Sequence, residues 1–281
     1  MINRNKGVLF GLGVAGNSAG HLQQTGESQA FNELDDPNKP QALFPFYVPQ
    51  AEDAYLAENP YSSDILQLPD CEQALVQMEP EVALKLSAFY AADGRLTHLK
   101  PIAMTLVNDV TYRNAKINKL AQKKNWGSAS KGLAEHEINI IDFTAGPQLE
   151  ALRLCGFHQR DGQWQLCGED VALTQYSYFY DQLVQWLLDQ IQQQQETGLF
   201  HNIQALLAQA DYPDTLLIAI GATRYSDYGL QHQLLSGDQS AVVLYDSRVY
   251  DFDEVQFLLE QQLDTPPQSD DAIIFLRQRV V

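Results

Sequence analysis

The stretch QMEPEVAL places Glu79 and Glu81 two residues apart. On a strand, that spacing turns both carboxylates to one face, about 7 Å from each other. The flanking Val76, Met78, Val82 and Leu84 make the element at least half buried. Two like charges there repel and resist ionisation unless a cation sits between them. A hard divalent ion with oxygen ligands is one solution. An exposed edge strand whose glutamates face water is the other. A third acid, Asp109, falls within TLVNDVTYRN, in the middle of an apolar, β-branched run. An acid in that setting is bound to metal, hydrogen-bonded, or ion-paired, with Arg113 the nearest cation, unless Asn108-Asp109 forms a turn.

Near the N-terminus, Gly11, Gly13 and Gly16 spell G-x-G-x-x-G after the apolar Val8-Leu9-Phe10, with His21 just beyond. A dinucleotide cradle would need a following helix, a second apolar strand and an acid about 20 residues on. Glu33 stands at that distance, but the sequence around it is polar and prolyl, so the second strand is missing. A plain glycine-rich turn, or a loop that delivers His21 to a site, are the other readings. Arg4 and Lys6 ahead of a short apolar run, with Ser18-Ala19-Gly20 behind it, imitate a secretory leader. Four glycines in residues 7–16 make that a poor signal helix.

These groups need strands to hold them. Alternation predicts strands over 7–14, 74–90, 102–112, 138–143 and 215–225, a closing strand over 272–281, and a turn with a strand pair over 234–252. Asp93-Gly94 predicts a hairpin turn, and the prolines of 42–49 predict an extended segment off a central strand. Helices are expected over 113–126, 173–196 and 253–263, and a short helix or turn over 18–26. Strands predominate without regular alternation with helices, which predicts an α+β fold. No linker divides residues 1–281, so a single domain is expected.

The chain carries 36 acidic against 18 basic residues, a net charge of −18. That balance argues against nucleic acid and anionic membranes, which are bound through Lys and Arg. No apolar run approaches the roughly 20 residues a membrane helix needs. Cys71, Cys155 and Cys167 have neither zinc nor C-x-x-C spacing. Together these features lead us to expect reduced cysteines, with inert thiols at Cys155 and Cys167, and a cytoplasmic protein.

The order of these motifs resembles the fumarylacetoacetate hydrolase family. The matching residues are Glu79-Pro80-Glu81, VNDVTYRN (107–114), NWGSASKG (125–132) with Lys131, Gly146-Pro147, IAIGATRYSDYG with SGD (236–238), and the Asn17-x-x-x-His21 pattern. The resemblance spans about residues 8–250. It implies a mixed-sheet roll with peripheral helices, a lid-side segment over 1–50, a helical insertion over 150–210, and a C-terminal helix and strand over 251–281. It also implies a Mg²⁺ or Mn²⁺ site (Ca²⁺ is a third option) on Glu79, Glu81 and Asp109. His21 would be the general base, Lys131 a charge toward substrate, and Asn17, Arg113, Gly221 and Thr223 substrate contacts. The implied activity is cleavage of C–C bonds, decarboxylation or hydration of small 2-oxo or β-diketo acids by a homodimer.

The sequence departs from that family where the histidine is supported. Gln24 stands where hydrolytic members carry a glutamate that pairs with the histidine, although Glu27, one turn on, is a substitute. A neutral amide orients an imidazole but does not stabilise its charged form, so weaker water activation is implied. Gly16 and Ser18 replace an arginine and a tyrosine, and Asn114 replaces an acid. The alternative is therefore a diverged, catalytically weak protein that keeps the metal site to bind a small ligand or a partner.

Overall fold

The computed structural model describes residues 7, 9–18, 21–25, 36, 39–261 and 272–281. Glu27 and Glu33 lie outside the described residues.

In chain order the first elements are β1 (Leu9–Ala15), α1 (His21–Gln24), β2 (Ala42–Tyr47), α2 (Ala54–Ala57), β3 (Tyr61–Ser62), β4 (Ile65–Leu66) and β5 (Val76–Gln77). The long hairpin β6 (Pro80–Tyr90) and β7 (Leu96–Asn108) follows, then β8 (Thr111–Tyr112), β9 (Lys131–Leu133), β10 (Ile138–Asn139) and α3 (Pro147–Glu150). Next come β11 (Leu152–Arg160), β12 (Gln163–Ala172), α4 (Tyr180–Gln193), α5 (Ile203–Gln209) and β13 (Thr215–Ala222). The chain closes with α6 (Asp227–Gln231), β14 (Gln239–Asp246), α7 (Phe252–Glu260) and β15 (Ile273–Val280).

The larger sheet runs β2-β1-β13-β6-β7-β9-β3, with β10 also on β7; the smaller runs β12-β11-β14-β15-β4. Both are mixed: β1 lies parallel to β13 and β15 to β4, whereas β6 runs antiparallel to β7 and β13. The expected α+β class with strands in the majority is found. The core is continuous between the sheets, where Val82, Leu84, Leu106, Leu154, Val242 and Leu276 are buried.

Two details of this packing position the site. The β6–β7 hairpin turns through Asp93-Gly94, where Gly94 has φ +86°, and its register sets Pro80 opposite Asn108. Glu79 therefore faces Asp109: the Asp109 N–H donates to the Glu79 carbonyl at 2.9 Å, and Asn108 Oδ1 accepts the Glu79 N–H at 3.1 Å. Pro80 in turn fills a notch in the smaller sheet, since a Cβ on either Gly156 or Gly168 would strike its ring.

Several expectations are corrected. Residues 113–126 form no long helix; only Leu120–Lys123 makes a 3₁₀ turn. Side-chain amides divert the backbone there, with Gln122 Oε1 accepting the N–H groups of Asn118 and Lys119 and Asn114 bonding Leu75 and Gln73. Asp109 lies in the break between β7 and β8, just past the strand end. The 234–252 stretch supplies one strand, β14, which pairs with the distant β11 and β15. Within 150–210, the segment expected to be helical, residues 152–172 are the β11–β12 hairpin. Its Asp161-Gly162 turn has both residues at positive φ, 53° and 76°, a two-residue hairpin signal.

The glycine motif has a packing role. Gly11 and Gly13 lie inside β1, where a Cβ would collide with Phe46 and Tyr61 or with Phe44, and Gly16 makes the turn at φ +82°. The helix after it, α1, has four residues.

Candidate functional site

Glu79, Glu81 and Asp109 meet at one point, with one carboxylate oxygen of each within 4.8 Å of the others. All three are buried. They line a narrow cleft with about 30 Å³ of open interior that is also walled by His21, Phe44 and Lys124.

Cations engage two of the three acids. Lys124 Nζ donates to Glu79 Oε2 at 2.6 Å, to Asp109 Oδ2 at 2.7 Å and to the Asp109 carbonyl at 3.2 Å. Arg113 Nη2 holds Glu79 Oε1 at 2.6 Å, and Lys131 Nζ bonds Asp109 Oδ1. Glu81 instead accepts the Gly221 N–H at 2.8 Å, across a bulge in the β13–β6 pairing. The acids diverge accordingly. Burial raises the Glu79 carboxyl, but Lys124 and Arg113 outweigh it and hold the group well below the usual carboxylate range. Burial, then repulsion from Asp109, pushes Glu81 well above that range.

His21 opens on the same cleft. Its Nδ1 is 2.8 Å from the Thr223 carbonyl, which can only accept, so Nδ1 carries the proton. Nε2 is left as the basic nitrogen, 3.8 Å from Glu79 Oε1. Thr223 thus supports the imidazole through its backbone. Gln24 turns away from His21 and clamps Tyr225, donating to its carbonyl and accepting its N–H, each at 2.8 Å.

The remaining expected residues stand behind the cleft wall or brace it. Lys131 is 0 % exposed and its ammonium faces Asp109 and the Phe46 ring, 4.8 Å away. In this structure it reaches the cleft through Asp109. Burial pulls its pKa down. Arg113 bonds Glu79, Gln77 and the Tyr225 hydroxyl. Asn17 lines the cleft, yet its amide is committed to the backbone of Tyr178 and Ile220. Gly221 offers its N–H to Glu81 at φ +120°. The Thr223 hydroxyl is buried without a hydrogen-bond partner. Cys155 and Cys167 are buried free thiols with raised pKa values, inert as expected.

Sequence reasoning did not single out Lys124, which fell within the helix expected over 113–126. The available signal was charge: in a chain of net −18, five of 18 basic residues fall within 113–124. Phe44, in the aromatic 44–49 stretch, walls the cleft with its ring 5.2 Å from Lys124 Nζ.

Three converging carboxylates are the oxygen donor set that a hard divalent cation takes. In identity and spacing they fit such a cation, with Lys124 Nζ between two of them.

Residues 27–280 match the family described as Family of unknown function (DUF5718). The chain belongs to that family. No curated protein matches this member's sequence. Its fold is similar to that of 2-keto-3-deoxyarabinonate dehydratase, at 13% identity over 97% of this chain and 73% of that one, TM-score 0.53. A form of that dehydratase complexed with magnesium and 2,5-dioxopentanoate matches at 14% identity, 97% and 73% coverage and TM-score 0.51. The 5-carboxymethyl-2-hydroxymuconate delta-isomerase from Mycobacterium smegmatis matches at 14% identity, 97% and 78% coverage and TM-score 0.52. These neighbours belong to the fumarylacetoacetate hydrolase superfamily, so this DUF5718 member has that superfamily's fold. Among the described residues, no helix is long and apolar enough to cross a membrane.

Proposed function

We propose that the cleft binds a small 2-oxo or β-diketo acid and cleaves, decarboxylates or hydrates it as a metal-dependent hydrolase or lyase. The observation that carries this reading is the meeting of three buried carboxylates beneath a histidine whose basic nitrogen faces them. The dehydratase of similar fold, complexed with magnesium and 2,5-dioxopentanoate, supports the substrate class.

A magnesium or manganese ion on Glu79, Glu81 and Asp109 would supply Lewis-acid polarisation of the 2-oxo group. The chain's own residues do the rest. His21 takes a proton at Nε2 from water or substrate, with Nδ1–H anchored on Thr223. Glu81, oriented by the Gly221 N–H it accepts, would be the third oxygen donor beside the reacting group. Arg113 and Lys131 fix Glu79 and Asp109 in place. Phe44 and Leu120 keep water from that wall of the cleft. The reading includes a homodimer in the cytoplasm, to be checked by sedimentation and fractionation.

The test is a screen of acylpyruvates and oxaloacetate with Mg²⁺ or Mn²⁺, product formation being followed by NMR. Turnover that disappears in a folded Glu79→Ala/Glu81→Ala double variant is expected. Absence of turnover of every compound by the folded wild type would eliminate the enzyme reading. The ion pairs on Glu79 and Asp109 favour a second reading, a catalytically weak protein that binds such acids without converting them. Ligand binding by calorimetry without turnover selects it.

A further inference from the structure

We propose that the Lys124 ammonium is the resident cation of this site, and that a divalent ion enters only by exchange with it. The inference rests on the reading above in taking the three carboxylates as the functional centre; it concerns how that centre is controlled.

The three N–H donors of Lys124 have three acceptors in Glu79 Oε2, Asp109 Oδ2 and the Asp109 carbonyl. A divalent ion bridging the same two carboxylates would stand roughly 2.0–2.6 Å from their oxygens. Nζ already lies 2.6 and 2.7 Å from them, so the ion and the nitrogen would overlap.

Charge gives the same answer. Glu79 and Asp109 are already faced by Lys124, Lys131 and Arg113. A dication added beside those three cations would bring two uncompensated positive charges into a buried place, at a high desolvation cost. Withdrawal of Lys124 removes one of them and frees both bridging oxygens.

The seat is built for the lysine. Lys124 is 4 % exposed and lies over the Phe44 ring, which occupies the space Gly13 leaves open. Its backbone is anchored by Lys124 N–H to the Ala121 carbonyl at 2.9 Å, and the next residue, Asn125, bonds the carbonyls of Phe46 and Glu58.

The test compares wild type with Lys124→Met, both stripped of metal, by calorimetric titration with MnCl₂ and by thermal melting. We expect the variant to bind Mn²⁺ about tenfold or more tightly than wild type. We also expect it to melt lower than wild type without metal and to gain more on adding Mn²⁺. Lys124→Gln, which keeps an N–H donor toward the carboxylates, replaces the Met variant if that chain does not fold. Equal or weaker Mn²⁺ affinity in the variant overturns the exchange while leaving a metal-dependent site standing. No Mn²⁺ binding by either chain overturns both the exchange and the metal part of the proposed function.

Discussion

His21 and Thr223 are joined by one hydrogen bond, from the ring Nδ1–H to the main-chain carbonyl at 2.8 Å. It holds the imidazole in a single tautomer with Nε2 toward Glu79, independently of any side chain at position 223. His21→Gln should lower turnover of a 2-oxo acid by about 10²–10⁴-fold, the span of a lost general base. Thr223→Val should lower it little. Steady-state rates of the two variants check this.

Gln24 offers both a donor and an acceptor to the Tyr225 backbone. Gln24→Glu keeps the acceptor and loses the donor, placing a carboxylate oxygen against the Tyr225 carbonyl. It should lower stability by about 1–3 kcal/mol and produce no gain in turnover. Urea denaturation and the rate assay measure the two parts separately.

Lys131 is wholly buried and bonded to Asp109. Lys131→Met strips Asp109 of that partner and should cost about 3–5 kcal/mol, as breaking a buried pair does. Lys85→Met, which removes the half-exposed pair with Glu137, should cost about 0–1 kcal/mol. Chemical denaturation of both variants tests the contrast.

Gly13→Ala puts a methyl into the Phe44 ring. Overpacking of this kind costs about 1–3 kcal/mol. A lowered melting temperature, together with no heat from titrating NAD or NADP into wild type, would confirm a packing role for the glycines. Measurable dinucleotide binding would refute it.

His158 gives a pH dependence away from the site. Burial lowers its pKa below the ordinary 6.5, and it bonds Asp238 and Tyr228 in the neutral form. The unfolded chain therefore takes up a proton first as pH falls. The residue's contribution is complete above about pH 6.5 and declines below it toward the folded-state pKa, by at most about 1.4 kcal/mol per pH unit. In His158→Gln that slope should flatten, as seen in stability measured across pH 7 to 5.

Legibility followed periodicity. β6, β7, β13 and β15 were readable because alternating apolar residues are bounded by turns, and the Glu79–Glu81–Asp109 meeting follows once β6 and β7 are paired. What escaped reading depended on partners far along the chain. Lys124 sits on a segment without an apolar face, and its position is set by carboxylates 45 and 15 residues away. The Gly-x-Gly pattern imitated a phosphate loop because both need bare backbone, here for two aromatic rings. Asp161-Gly162 was a local signal that announced a hairpin within the segment expected to be helical.

Pro80 sits between the two glutamates and is keyed into the smaller sheet at Gly156 and Gly168. Any sliding of one sheet over the other must therefore drag the backbone that joins Glu79 to Glu81. The gauge of the acidic cluster is thus set mechanically from β11 and β12, so a load on that distant hairpin would widen or narrow the grip on whichever cation is held.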